Sequence, residues 1–222
     1  MHDDMQFRLV SAFPASADAE LIRAFREGIL IADGLIEAEP LLGTVIGHDL
    51  RGHLRRAGIL FRIHELCRIG DLPFEAKMSL MPRGSWHWLE LLSGPFVAHV
   101  CRTEGPMAFP EDTLTRQDER FLNQNDLFEP NFVPLREVAE SSSELCAWLT
   151  FGGVAAGQLQ HLCWAMPAAD GRDWLGHINV LKRAAASGLV SESEARESKS
   201  LGLRFKEHIE EALSRQPSGG SR

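Results

Sequence analysis

The sequence predicts an α+β domain with two N-terminal helices, two three-stranded antiparallel blocks that form one sheet, and a C-terminal helix. Three observations carry this. Apolar residues recur at helical spacing over 18–39 and 44–68. Apolar and polar residues alternate strictly from Phe74, between Gly- and Pro-containing turn signals. A capping box, Ser191 and Glu194, opens a last helical stretch that runs to about Ser214. One domain is expected over residues 1–215, with 216–222 a disordered tail.

The first helix rests on Leu21, Ile22, Phe25, Ile29, Ala32 and Ile36, with Ser16 or Asp18 as its cap. Asp33-Gly34 offers an early end, and Pro40 stops whatever continues. The second helix takes its apolar stripe from Val45, Ile46, Leu50, Leu54, Ala57, Phe61 and Leu66. Gly47, Gly52 and Gly58 weaken it, each by about 1 kcal/mol relative to Ala. Gly70-Asp71 and Pro73 end it.

The first strand block runs from Phe74 to Arg102. With Ser93-Gly94 as a two-residue hairpin loop, Glu90 faces Val97 and Trp88 faces His99. With residues 81–84 as a four-residue loop, Glu75 faces Glu90, Lys77 faces Trp88 and Met78 faces His87. Phe74, Ala76, Met78, Leu80, Leu89, Leu91, Phe96, Ala98 and Val100 then share a core face, with His87 its one polar member. The second block comprises 146–151, 159–166 and 174–181. Between the blocks, residues 104–143 are rich in Pro and Asn, with a short helix over about 114–122. Helices are expected on one face of the sheet.

The 222 residues are enough for a core that needs no disulfide or metal. A net charge of −8 disfavours nonspecific binding to nucleic acid or to an anionic membrane. The four cysteines form no CxxC pair and lie in apolar runs, as expected of reduced, buried thiols. No apolar run approaches the ~20 residues that span a bilayer. The acidic start lacks the basic residues of a signal peptide. A cytoplasmic location follows as an expectation, with no membrane contact.

The face opposite the core gathers Glu75, Lys77, Glu90 and His99. Two carboxylates beside an imidazole can bind a hard divalent cation, which can activate water. Alternatively, one carboxyl with a raised pKa can act as a general acid. Glu75, Glu90 and His99, with Lys77 assisting, are therefore the catalytic candidates for a metal-dependent hydrolase or nuclease. The plainer reading is a solvated sheet face on which Lys77 neutralises the acids. On the second helix His48, Arg51, Arg55 and Arg62 share one side, a stripe that can meet nucleic acid or an acidic partner. Its plainer reading is pairing with the protein's own acids.

His161 with Cys163, and His64 with Cys67, lack companion ligands at zinc spacing. His177 reads as a satisfied sheet residue. No G-x-S-x-G elbow occurs, and the glycines at 152, 153 and 157 lack the Lys-Ser/Thr ending of a phosphate loop. No cofactor is expected. The leading expectation is thus a non-enzymatic interaction module, an accessory or regulatory subunit with a protein partner or a homodimeric state. Its motivation is the apolar content of the long loop: Met107, Phe109, Leu127, Phe128 and Phe132.

Overall fold

The computed structural model describes residues 2–81, 85–124, 144–153 and 159–188. Among them are helices α1 (His2–Ala12), α2 (Asp18–Ala38), α3 (Val45–Ile69), α4 (Leu114–Phe121) and α5 (Val180–Ala186). The strands are β1 (Glu75–Leu80), β2 (His87–Ser93), β3 (Phe96–Arg102), β4 (Leu145–Gly152), β5 (His161–Pro167) and β6 (Trp174–Asn179). They form one six-stranded mixed sheet in sequence order. Every neighbouring pair is antiparallel except β3 and β4, which run parallel. A parallel pair needs a crossover, and the long segment after β3 supplies it.

The fold is α+β, but three helices precede the sheet rather than two. In α1, Met5 and Leu9, followed by Phe13, recur at i, i+4 spacing and are buried. Phe13 stacks on Trp164 with ring centres 3.9 Å apart and meets Phe74 and Phe96 edge-on or tilted. This aromatic knot ties the N-terminus to the sheet centre. The final helix proposed over 191–214 and the tail lie outside the described residues; α5 replaces the expected end of the last strand.

The apolar positions of α2 are buried as expected. Asp33 does not end the helix, because Arg55 of α3 grips its carboxylate at 2.9 and 3.0 Å. Thr44 caps α3, accepting the Gly47 amide through its side chain. Gly70 closes α3 in the left-handed region at φ 86°. The glycine Gly58 has a packing role beyond its cost in helicity. A Cβ built on it would stand 2.2 Å from the Gly28 carbonyl oxygen, so α2 and α3 touch backbone to backbone. The large core lies between α1, α2, α3 and α5 and one face of the sheet.

Both expected hairpin registers are displaced by two positions. Lys77 faces Glu90 rather than Trp88, Glu75 faces Leu92 rather than Glu90, and Met78 faces Leu89 rather than His87. The Met81 amide bonds the Trp86 carbonyl, so the turn falls one residue further along the chain than 81–84. In the second hairpin Glu90 faces His99 and Ser93 faces Phe96. Gly94 (φ 55°) and Pro95 occupy the loop, because Pro has no amide for the ladder and Gly tolerates the positive φ. An even displacement keeps each side chain on its expected face. Leu89, Leu91, Phe96, Ala98 and Val100 are accordingly buried in the core, while Met78 and Leu80 are not.

Helices do not lie on one face alone. The segment from Thr103 through α4 covers the opposite face, where Phe109 and Trp174 pack on Cys101, Cys146 and Trp148. Central strand β4 is therefore buried on both sides.

Candidate functional site

Register places Lys77, Glu90, His99 and Trp148 in one row across β1 to β4. Three of the four predicted residues are thus neighbours. Glu75 is on the same face but stands two positions along β1 and is exposed. The facing pair of carboxylates does not form. Glu90 instead accepts a hydrogen bond from Ser79 Oγ at 2.8 Å, with Lys77 Nζ at 4.0 Å. Among the described residues, no three His, Cys, Asp or Glu side chains converge where they could hold a metal ion.

The partner of His99 is one that spacing did not reveal. Glu119, on α4, comes down over the row. Its Oε1 is 3.9 Å from His99 Nε2, and its Oε2 accepts the Trp148 indole N–H at 2.7 Å. Trp88 stacks on the other side of the imidazole, with ring centres 3.9 Å apart. His99 and Glu119 are only 7% and 8% exposed. Burial pushes the Glu119 carboxyl up to about 7, although the Trp148 N–H and Arg116 work against it. Burial pushes His99 down to about 4, with the Leu89 backbone pulling the other way. The contact therefore joins a neutral imidazole to a carboxyl that ionises only near neutrality. It is not an ion pair. Trp88 Nε1 is buried with no hydrogen-bond partner among the described residues. Such an orphaned group costs about 1–3 kcal/mol.

A raised carboxyl beside a neutral imidazole is the electrostatic pattern of an acid–base pair. Here both groups lie largely buried beneath Trp88, Trp148 and α4. The nearby thiols are no nucleophiles. Burial raises Cys101 to about 11 and Cys146 well above its usual value.

The covering segment is fastened to its own chain. Thr103 donates to the Gly105 carbonyl and lies 2.9 Å from His161 Nε2, an arrangement that puts the imidazole proton on Nε2. His177 Nε2 donates to the Pro106 carbonyl, and the Trp174 indole to that of Met107. Phe109 stacks on Trp174 at 4.0 Å. Asn123, fully buried, bonds the Cys146 amide and the carbonyls of Cys146 and Pro167. Phe109 thus packs on its own body rather than on a second chain. Met107 remains exposed. Leu127, Phe128 and Phe132 lie outside the described residues. His161 and His177 are structural, as expected.

The basic stripe of α3 is largely consumed by α2. Arg55 is held by Asp33, and Arg62 by Glu27 and Glu65. Arg51 is half-buried, and only His48 of the four is exposed.

What the sequence assigned to the core, and the structure leaves uncovered, is the apolar stripe of α3. Ile46, Leu50, Ala57 and Phe61 point away from the body, with Leu54 half-buried among them. The core instead takes Ile59, Ile63 and Leu66. Lengths explain part of this. The 25 residues of α3 span roughly 37 Å. The six residues of β1 beneath it span only roughly 20 Å. The first turns of α3 therefore overhang the sheet. Ile46 is 68% and Phe61 53% exposed; on β1, Met78 is 44% and Leu80 59% exposed. His53 stacks on exposed Trp86 and links the helix to the β1–β2 turn. Together these side chains expose on the order of a few hundred Å² of apolar surface, the scale of an interaction site. Among the described residues, no helix is long and apolar enough to cross a membrane. Comparison of the chain with protein-family models, with curated proteins and with solved structures gives no match.

Proposed function

We propose that this protein is a non-enzymatic, cytoplasmic interaction module, an accessory or regulatory subunit that docks a protein partner on the surface of α3 and β1. The observation that supports it is the apolar stripe Ile46–Leu50–Ala57–Phe61 on the outer side of a helix whose inner side is fully packed. Leaving that stripe in water forfeits roughly 1.5–3 kcal/mol for each large side chain that a partner would bury. The chemistry-bearing groups favour the same reading, since His99 and Glu119 are largely buried and Arg55 and Arg62 of α3 are engaged within the chain. Four free cysteines suit a reducing compartment.

The test is site-specific photo-cross-linking in the source cell. A benzophenone amino acid at Leu50 or Phe61 is expected to give a discrete protein adduct. The same group at exposed Arg172, on the β5–β6 turn, is expected to give none. Adducts that do not depend on position, or none at all, would end this reading.

A further inference from the structure

The two edges of the sheet are treated differently. On β6, Gln6 of α1 takes the place of a neighbouring strand: its Oε1 accepts the His177 amide at 2.8 Å and its Nε2 donates to the His177 carbonyl at 3.3 Å. That contact satisfies the outward-facing backbone of His177. β1 is the other terminal strand, and among the described residues no backbone hydrogen bond reaches its outer side. An open edge with exposed Met78 and Leu80 is a template for another strand. It adjoins the outer stripe of α3, which packs against β1 and β2.

From this juxtaposition, and resting on the docking reading above, we infer that the occupant is a second copy of this chain. The β1 edges pair antiparallel about a two-fold axis perpendicular to the sheet. Such an axis keeps like faces together and sets α3 beside its copy, antiparallel to it, so that one operation pairs the two edges and brings the two exposed helices together. The contact is isologous and closes on itself. Register follows from charge. Centring on Lys77 would oppose two ammonium groups. Centring on Met78 sets Met78 against Met78 of the second copy, Ala76 against Leu80, and Lys77 against neutral Ser79. It buries the two exposed apolar side chains of β1 and brings Phe61 of α3 toward the axis. The result is a continuous twelve-stranded sheet whose outer strands, among the described residues, are the two β6 copies, each bonded by Gln6 at His177.

Light scattering on the purified full chain at about 50 μM tests the assembly; the expected mass is twice the 24.7 kDa of one chain. Met78→Cys, oxidised mildly, is expected to give a reducible covalent dimer. The wild-type chain, whose thiols are buried or half-buried, should give none. Met78→Lys and, separately, Phe61→Glu should halve the mass with unchanged circular dichroism. A wild-type monomer overturns the inference. So does a dimer that neither cross-links through Met78→Cys nor dissociates in the two charge variants. A monomer that still forms position-dependent adducts with another protein leaves the docking reading intact and removes only the second copy as occupant.

Discussion

Glu119→Gln isolates the least comfortable charge in the molecule. In the folded chain the carboxyl is raised from its ordinary 4.5 to about 7, chiefly by burial. Protonation is therefore tighter in the folded than in the unfolded state. The stabilisation this brings is complete below pH 4.5 and is lost as pH rises through 7. Ionising Glu119 inside the fold costs about 3 kcal/mol on that basis. The glutamine amide removes the charge but keeps an oxygen to accept the Trp148 N–H. Urea unfolding at pH 5 and pH 8 measures the difference. At pH 8 the variant is expected to be more stable than the wild type by about 1–3 kcal/mol, and at pH 5 the two should nearly coincide. His99 supplies a second readout. Its pKa is lowered to about 4, so the stability it contributes is present above 6.5 and lost as pH falls through 4. Between 4.5 and 6.5 the two groups oppose each other in the wild type. In the variant the His99 slope stands alone, and stability should fall more steeply toward pH 4. A variant whose stability difference from wild type is the same at pH 5 and pH 8 would refute burial of an ionisable Glu119.

Two further outcomes concern the scaffold. Gly58→Ala is expected to destabilise the protein by at least about 1–3 kcal/mol, since its Cβ would strike the Gly28 carbonyl. Gly52→Ala in the same helix meets nothing within 4 Å and should stabilise by up to about 1 kcal/mol; thermal melts that rank the pair in the reverse order would remove the backbone contact from the account. Arg183 of α5 grips fully buried Asp18 through two bonds of 2.7 Å and also bonds the Phe13 carbonyl. Arg183→Ala should cost about 3–5 kcal/mol by leaving a buried carboxylate unpaired. Asp18→Asn in that background should recover part of the loss in chemical denaturation.

Part of the site could be read from residue order alone. Parity along β1, β2 and β3 put Lys77, Glu90 and His99 on one face, and a register error of two positions left that intact. It did not leave the facing carboxylates intact, because whether Glu75 or Lys77 meets Glu90 depends on where the turn falls, not on alternation. Glu119 escaped notice for a different reason. On α4 the buried side carries Thr115 and Glu119, while Leu114 and Phe121 face outward. A short helix with inverted polarity gives no periodic signal of which side is inside.

From its sequence alone this chain determined the core side of α2, the alternating faces of β1 to β3 and the end of α3 at Gly70. These follow from backbone sterics and from the periods of helix and strand, which are local. Only the tertiary structure decided which side of α3 is buried, that α4 covers His99, and that Gln6 bonds the β6 edge at His177 while, among the described residues, no backbone bond reaches the outer side of β1. Each of those depends on which distant element arrives first to exclude water, and spacing along the chain carries no information about that.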